Sequence, residues 1–148
     1  MPSSHPALSK ADGLATSSAD LALLVGRVLL GVMFAASAWA KLVNIAGFAG
    51  YLNSLGVPAV GFFSYVQPPL EMLLGLLLIF GIATRYAAFA SFLFVGLVIL
   101  IAHRYWDYTG PQQIAQYNTF LKCLAIMGGS LALFIAGGGR YSVDAKLS

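Results

Sequence analysis

The sequence predicts an all-α membrane protein, a bundle of four transmembrane helices, and three observations carry that prediction. Of the 148 residues, 59% are hydrophobic and only 9% are charged, against about a quarter charged in ordinary soluble chains. The mean hydropathy is +0.85. The apolar residues are gathered into four runs of about 17 to 21 residues, each long enough as a helix to cross the hydrocarbon layer. A single soluble core of this size could not hide so much apolar surface.

Residues 1–20 combine Ser, Ala, Pro, Gly and Asp without apolar periodicity and read as a disordered cytoplasmic tail. The first span covers 21–40 and ends at Lys41, an interface anchor. A signal peptide, with Lys10 as its basic flank and Ala38-Trp39-Ala40 as its cleavage pattern, is disfavoured by the length of the run and by Arg27 inside it. In the first long loop Phe48, Tyr51, Leu52 and Leu55 fall at i, i+3, i+4 and i+7 before Gly56-Val57-Pro58. This predicts a short amphipathic helix on the bilayer surface.

The second span covers 65–83, with Pro68-Pro69 expected in its first turn, where a missing N–H does no harm. A tight turn at Thr84-Arg85 leads to the third span, 86–102, bounded by His103 and Arg104. The second long loop carries Tyr105, Trp106, Tyr108 and Tyr117 around a Gly110-Pro111 turn, the aromatic enrichment expected at headgroup level. The fourth span covers 117–137, closing a transmembrane domain of 21–140 and leaving 141–148 as a C-terminal tail. Lys10, Arg85, Arg140 and Lys146 lie on the side of the termini and Lys41 and Arg104 in the long loops, so both termini are expected in the cytoplasm of a bacterial inner (plasma) membrane.

Composition also excludes functions. The charge of +3 rests on eight Lys and Arg with no basic run, which gives nucleic acid no electrostatic footprint. One cysteine, Cys123, and two histidines, His5 and His103, cannot form an internal disulfide, a Cys-x-x-Cys pair, an iron–sulfur site or two-histidine haem ligation within the membrane. No cofactor is therefore expected by covalent attachment or metal ligation.

Arg27, Glu71 and Lys122 interrupt apolar spans, at a cost of roughly 2.5 to 3.5 kcal/mol each on insertion scales. Glu71 and Lys122 lie near the same level. Gln67, Glu71 and Gly75 recur every four residues, as do Arg27, Gly31 and Ala35. On the last span Asn118, Lys122, Ala125, Gly129, Ala132 and Ala136 form a stripe expected to face inward, turning Phe120, Leu124, Leu131 and Phe134 to lipid. The resulting expectation is a polar pocket in which Glu71 pairs with Lys122, flanked by Gln67 and Asn118, with Lys41 and His103 at its rim, serving binding or proton relay. The same pair could instead fix helix register without chemistry. Arg27, about 10 Å deep, is expected to snorkel to the cytoplasmic headgroups as an anchor, and Arg85 likewise to be structural.

Arg27-x-x-x-Gly31 with Lys41, Glu71-x-x-x-Gly75 followed by Gly81 and Arg85, and Lys122 with the ending GGGRYSVD together resemble the DoxX-like membrane proteins, over residues 21–144. The resemblance implies a four-helix membrane bundle and functional positions at Arg27, Lys41, Glu71, Arg85 and Lys122. Some relatives are the small membrane subunit of thiosulfate:quinone oxidoreductases or partners in membrane redox and thiol-homeostasis complexes. The expected function is an accessory subunit of a membrane oxidoreductase, contacting quinone or a similar lipophilic molecule and taking electrons from a protein redox partner. The alternatives are a non-enzymatic scaffold recruiting a soluble redox enzyme and a lipid or small-molecule binding protein. Membrane lipids are partners in each case, and a homo-oligomer is compatible with all three.

Overall fold

The computed structural model describes residues 6–147, and their elements are α1 (Pro6–Leu42), α2 (Ile45–Ser54), α3 (Val60–Phe80), α4 (Thr84–Ala102), a 3-10 turn at Tyr105–Asp107, α5 (Gly110–Ala136) and α6 (Asp144–Leu147). Four of these helices, α1, α3, α4 and α5, are long and apolar enough to cross a membrane. Their order alternates direction, so α2 and the 3-10 turn lie at one end of the bundle, the loop end. The α3–α4 turn and the C-terminal segment lie at the other, the terminal end. His5 lies outside the described residues.

The bundle is built from two close pairs, α1 on α3 and α4 on α5. Glycine sets the first of these. A side chain on Gly31 would come within 2.6 Å of the Gly75 carbonyl oxygen, and one on Gly75 within 2.8 Å of the Gly31 carbonyl, so only bare backbone lets α1 and α3 approach this closely. The sequence stripes on these helices do face inward: Arg27, Gly31, Phe34 and Ala38 of α1 and Glu71, Gly75 and Leu78 of α3 are buried. Around them Ala87, Ala88, Val95 and Ile99 of α4 and Cys123 and Leu133 of α5 complete the core.

Four expectations are corrected. The tail read as disordered to residue 20 is helical from Pro6, with residues 10–19 exposed. Proline suits a first helical position, and extending an existing helix fixes one residue per added hydrogen bond without a new nucleus. The second span starts at Val60, so Pro68 and Pro69 sit inside α3 rather than in its first turn. Neither ring can donate to the carbonyls of Ser64 and Tyr65, a loss tolerated where neighbouring helices surround the chain. The Gly110-Pro111 turn is the beginning of α5, with proline in its first turn. Finally, the inward face of α5 carries Cys123, Ser130 and Leu133, while Asn118, Lys122, Ala125, Ala132 and Ala136 are exposed. Phe120 and Phe134, expected to face lipid, pack against the core, and Leu124 and Leu131 are exposed as expected.

The short helix of the first loop is present as α2. The Asn44 side chain accepts a hydrogen bond from the Gly47 amide at 3.0 Å and caps it. Its apolar face, Phe48 and Leu52, is buried against the bundle. At the same end Tyr105 stacks edge-on to Trp106 and Tyr117, with centroids 5.2 Å apart in both pairs, and packs on Phe120 at 5.1 Å. This aromatic cluster ties the 3-10 turn to α5.

At the terminal end the C-terminal segment is not a loose tail. Val143 and Asp144 donate their amides to the Phe80 and Gly81 carbonyls at 3.2 and 3.0 Å. The Asp144 carboxylate accepts from the Ala83 and Thr84 amides at 2.6 and 2.7 Å, capping α4 from sixty residues away in sequence. Ala83 itself has φ of 47°, the left-handed region that a Cβ disfavours, and this carboxylate holds it there. On α1, Asp20 accepts from the Arg140 amide at 2.9 Å.

Candidate functional site

A cavity of about 470 Å³ opens between the helices at the loop end, and every spanning helix as well as α2 contributes to its wall. The wall is mainly apolar: Met33 and Phe34 of α1, Phe48 and Leu52 of α2, Phe94, Val95 and Val98 of α4 and Ile126 of α5. Into it project Lys41, Gln67, Glu71, His103 and Lys122. Five of the six candidate site residues are thus brought together. Asn118 is exposed on α5 and does not line the cavity.

Glu71 pairs with Lys41, not with Lys122. The Lys41 ammonium donates to Glu71 Oε2 at 2.5 Å and to Ser37 Oγ at 3.0 Å, and lies 5.6 Å from the centre of the Phe48 ring. The reason lies in the α1–α3 register. Because α1 and α3 are antiparallel and cross at Gly31 and Gly75, Lys41 and Glu71 both lie beyond that crossing toward the loop end. A helical side chain leans toward its own N-terminus, so Lys41 reaches back and Glu71 reaches out, closing a gap of about 9 Å in height. Lys122, on α5, lines the same cavity and makes no ion pair or hydrogen bond among the described residues.

The side chains of the pair differ in exposure, 22% for Lys41 and 4% for Glu71. Thr119 and Cys123 of α5 also face the cavity, and Cys123 is a buried free thiol. Nδ1 of His103 lies 3.0 Å from Oε1 of Gln116. With the amide in that orientation the ring donates through Nδ1 and leaves Nε2 as an acceptor. Tyr51 of α2 lines the cavity as well. Burial, reinforced by Tyr108, pushes its hydroxyl above the ordinary phenol value, which keeps it a neutral donor. Among the described residues no three of His, Cys, Asp or Glu gather closely enough to hold a metal ion.

Ser37, Tyr51, Gln116 and Thr119 escaped the sequence reading, since each is a common polar residue at a helix position with no local signal. Only Ser37, one turn before Lys41, could have been found from spacing.

Arg27 and Arg85 occupy the terminal end and do something different from anchoring. Arg27 is 1% exposed and so does not snorkel. It donates to the carbonyl oxygens of Leu78 at 3.1 Å, of Ile79, and of Tyr141 at 2.5 Å. The last carbonyls of a helix lack intrahelical partners and carry the negative end of its dipole. They are what a buried guanidinium needs. The register explains the choice: Arg27 lies one turn before Gly31 and Ile79 one turn after Gly75. Gly81 ends α3 at φ of 68°, and a side chain there would meet Arg27 Nη1 at 2.8 Å. Arg85 does the same for α5, donating to the Phe134 and Ile135 carbonyls at 2.9 and 2.6 Å. Both arginines close helix ends.

Four antiparallel spans around an apolar cavity with an ion pair in its wall define a small multi-pass membrane protein with an intramembrane pocket. The chain belongs to the DoxX family, whose model matches residues 22–104. It is 34% identical over 129 residues to the inner membrane protein YqjF of Escherichia coli (strain K12), covering 87% of this chain and 94% of that protein. It is 28% identical over 124 residues to the inner membrane protein YphA of the same organism, covering 84% and 89%. A shorter match, 32% identity over 68 residues, covers 46% of this chain and 49% of CatD of Bacillus subtilis (strain 168), which carries a provisional oxidoreductase name. No solved structure matches the chain significantly. The protein is a multi-pass protein of the inner membrane.

Proposed function

We propose that this protein is an accessory membrane subunit of an oxidoreductase and that its cavity receives the head group of a quinone or similar lipophilic molecule. The observation that carries the reading is the Lys41–Glu71 pair in the wall of a mainly apolar cavity. Quinone reduction couples electrons to protons, so a head-group site needs donors for the carbonyl oxygens and a titratable relay in a dry environment. Lys41, Lys122 and the Tyr51 hydroxyl supply donors, and Glu71 and His103 supply groups that exchange protons. The cavity volume lies in the range of ordinary small-molecule sites. CatD's oxidoreductase name supports the same direction over the part of the chain it matches.

In this reading electrons come from a protein redox partner. The test is thermal unfolding of the purified full chain in detergent, with and without short-chain ubiquinone and menaquinone analogues in both redox states. Binding to the folded state raises the midpoint with ligand concentration. A midpoint unmoved by either quinone in either state would count decisively against the reading.

A further inference from the structure

We infer that the molecule taken up by the loop-end cavity is anionic at its head group, a single-tailed amphiphile presenting a carboxylate or an acidic phenolate to Lys122. This rests on the reading above that the cavity holds a lipophilic ligand, and it narrows that ligand's chemistry. The ionisable groups facing the cavity are Lys41, Glu71, His103 and Lys122, with Tyr51 and Cys123 beside them. Lys41 and Glu71 neutralise one another at 2.5 Å, and His103 is engaged by Gln116. Lys122 is left without a counter-charge among the described residues, so the cavity carries one unmatched cation.

Lys122 is exposed on its helix yet also lines the cavity beside Ile126, so its ammonium is within reach of a ligand head group and has no carboxylate of the described residues to compete for it. A ligand oxyanion within reach removes the imbalance, and its tail can lie along Phe34, Phe94 and Val98. A neutral head group leaves the imbalance in place. The site therefore discriminates by charge through Lys122, whereas Lys41, its charge matched by Glu71, does not.

The experiment measures binding to the purified full chain in a neutral detergent at pH 7.5, using pairs of probes that differ in charge alone. One pair is a 2-hydroxy-3-alkyl-1,4-naphthoquinone and its methyl ether; the other is oleate and oleyl alcohol. The anionic member of a pair is expected to bind about tenfold or more tightly, the ratio that one charge-assisted hydrogen bond gives. Lys122→Gln should abolish the ratio and Lys122→Arg should keep it. Equal binding within both pairs, or a ratio that survives Lys122→Gln, overturns the inference while leaving the quinone reading standing if the naphthoquinones bind. A Lys122-dependent ratio for oleate with no quinone bound supports the anion inference and removes the quinone reading. Equal binding within both pairs overturns the inference even if Lys122→Gln fails to fold, and Lys122→Ala then takes its place in assigning an observed ratio to Lys122.

Discussion

Removing the two members of the Lys41–Glu71 pair singly and together tests the register of the whole α1–α3 interface. The Glu71 side chain is 4% exposed and the Lys41 side chain 22%, so the two single losses should be unequal. Lys41→Met leaves a carboxylate in an apolar wall, and breaking a buried pair in this way costs about 3 to 5 kcal/mol. Glu71→Gln leaves the more exposed Lys41, which retains Ser37 Oγ as an acceptor, and should cost about half as much. The double variant should fall well short of the sum, giving a coupling of about 1 to 3 kcal/mol. Equilibrium unfolding in mixed micelles, followed by far-ultraviolet circular dichroism, reads each term. Additivity of Lys41→Met and Glu71→Gln to within about 0.5 kcal/mol would refute the pairing. The Lys122→Met and Glu71→Gln combination is the control and should be additive, because Glu71 is bonded to Lys41 and not to Lys122.

The remaining predictions follow from other parts of the bundle. Gly31→Leu should destabilise by more than about 3 kcal/mol, because its Cβ alone would meet Gly75 backbone at 2.6 Å; Gly128→Ala, with open space around it, should change the same unfolding midpoint little. Arg27→Met should lower stability by about 3 kcal/mol or more, since it removes a buried guanidinium and strips a donor from three carbonyl groups, one buried and two part-buried. Truncation after Arg140 should produce part of the same loss, measured in the same assay. Asp144 sets an acid limit: burial pushes its carboxyl up, but hydrogen bonds from Thr84 and Ala83 and the charge of Arg27 hold it below its usual 3.8. A folded-state value below the unfolded one means stability that is present above pH 3.8 and lost as the pH falls further through the folded-state value. Asp144→Asn should remove that acid dependence in midpoints measured from pH 7 down to pH 3, at a fixed cost of about 1 kcal/mol from the weakened cap.

The terminal end gives physical content to the ending GGGRYSVD. Its glycines let the chain turn under α4, Tyr141 offers a carbonyl to Arg27, and Asp144 caps α4. The residues that the family resemblance singles out thus divide into two groups. Arg27 and Arg85 close helix ends, while Lys41, Glu71 and Lys122 face one cavity.

The sequence by itself determined the membrane character, the four spans, the short helix after the first span and the inward stripes of α1 and α3. Each of these is a periodic or compositional property that a helix expresses residue by residue, so it is legible before any helix meets another. It did not determine the rotation of α5. There Asn118, Lys122 and the alanines suggested a polar, close-packed face, yet Cys123, Ser130 and Leu133 turn inward, and which stripe of a helix meets its neighbour is settled only when the two pack. It did not determine the partner of Glu71 either. Two lysines lay at the right depth, and only the close crossing of α1 and α3 at Gly31 and Gly75, together with the lean of helical side chains toward the N-terminus, gave Glu71 to Lys41. Pairing across helices depends on which helices touch and in what register, and that is a property of the packed bundle alone.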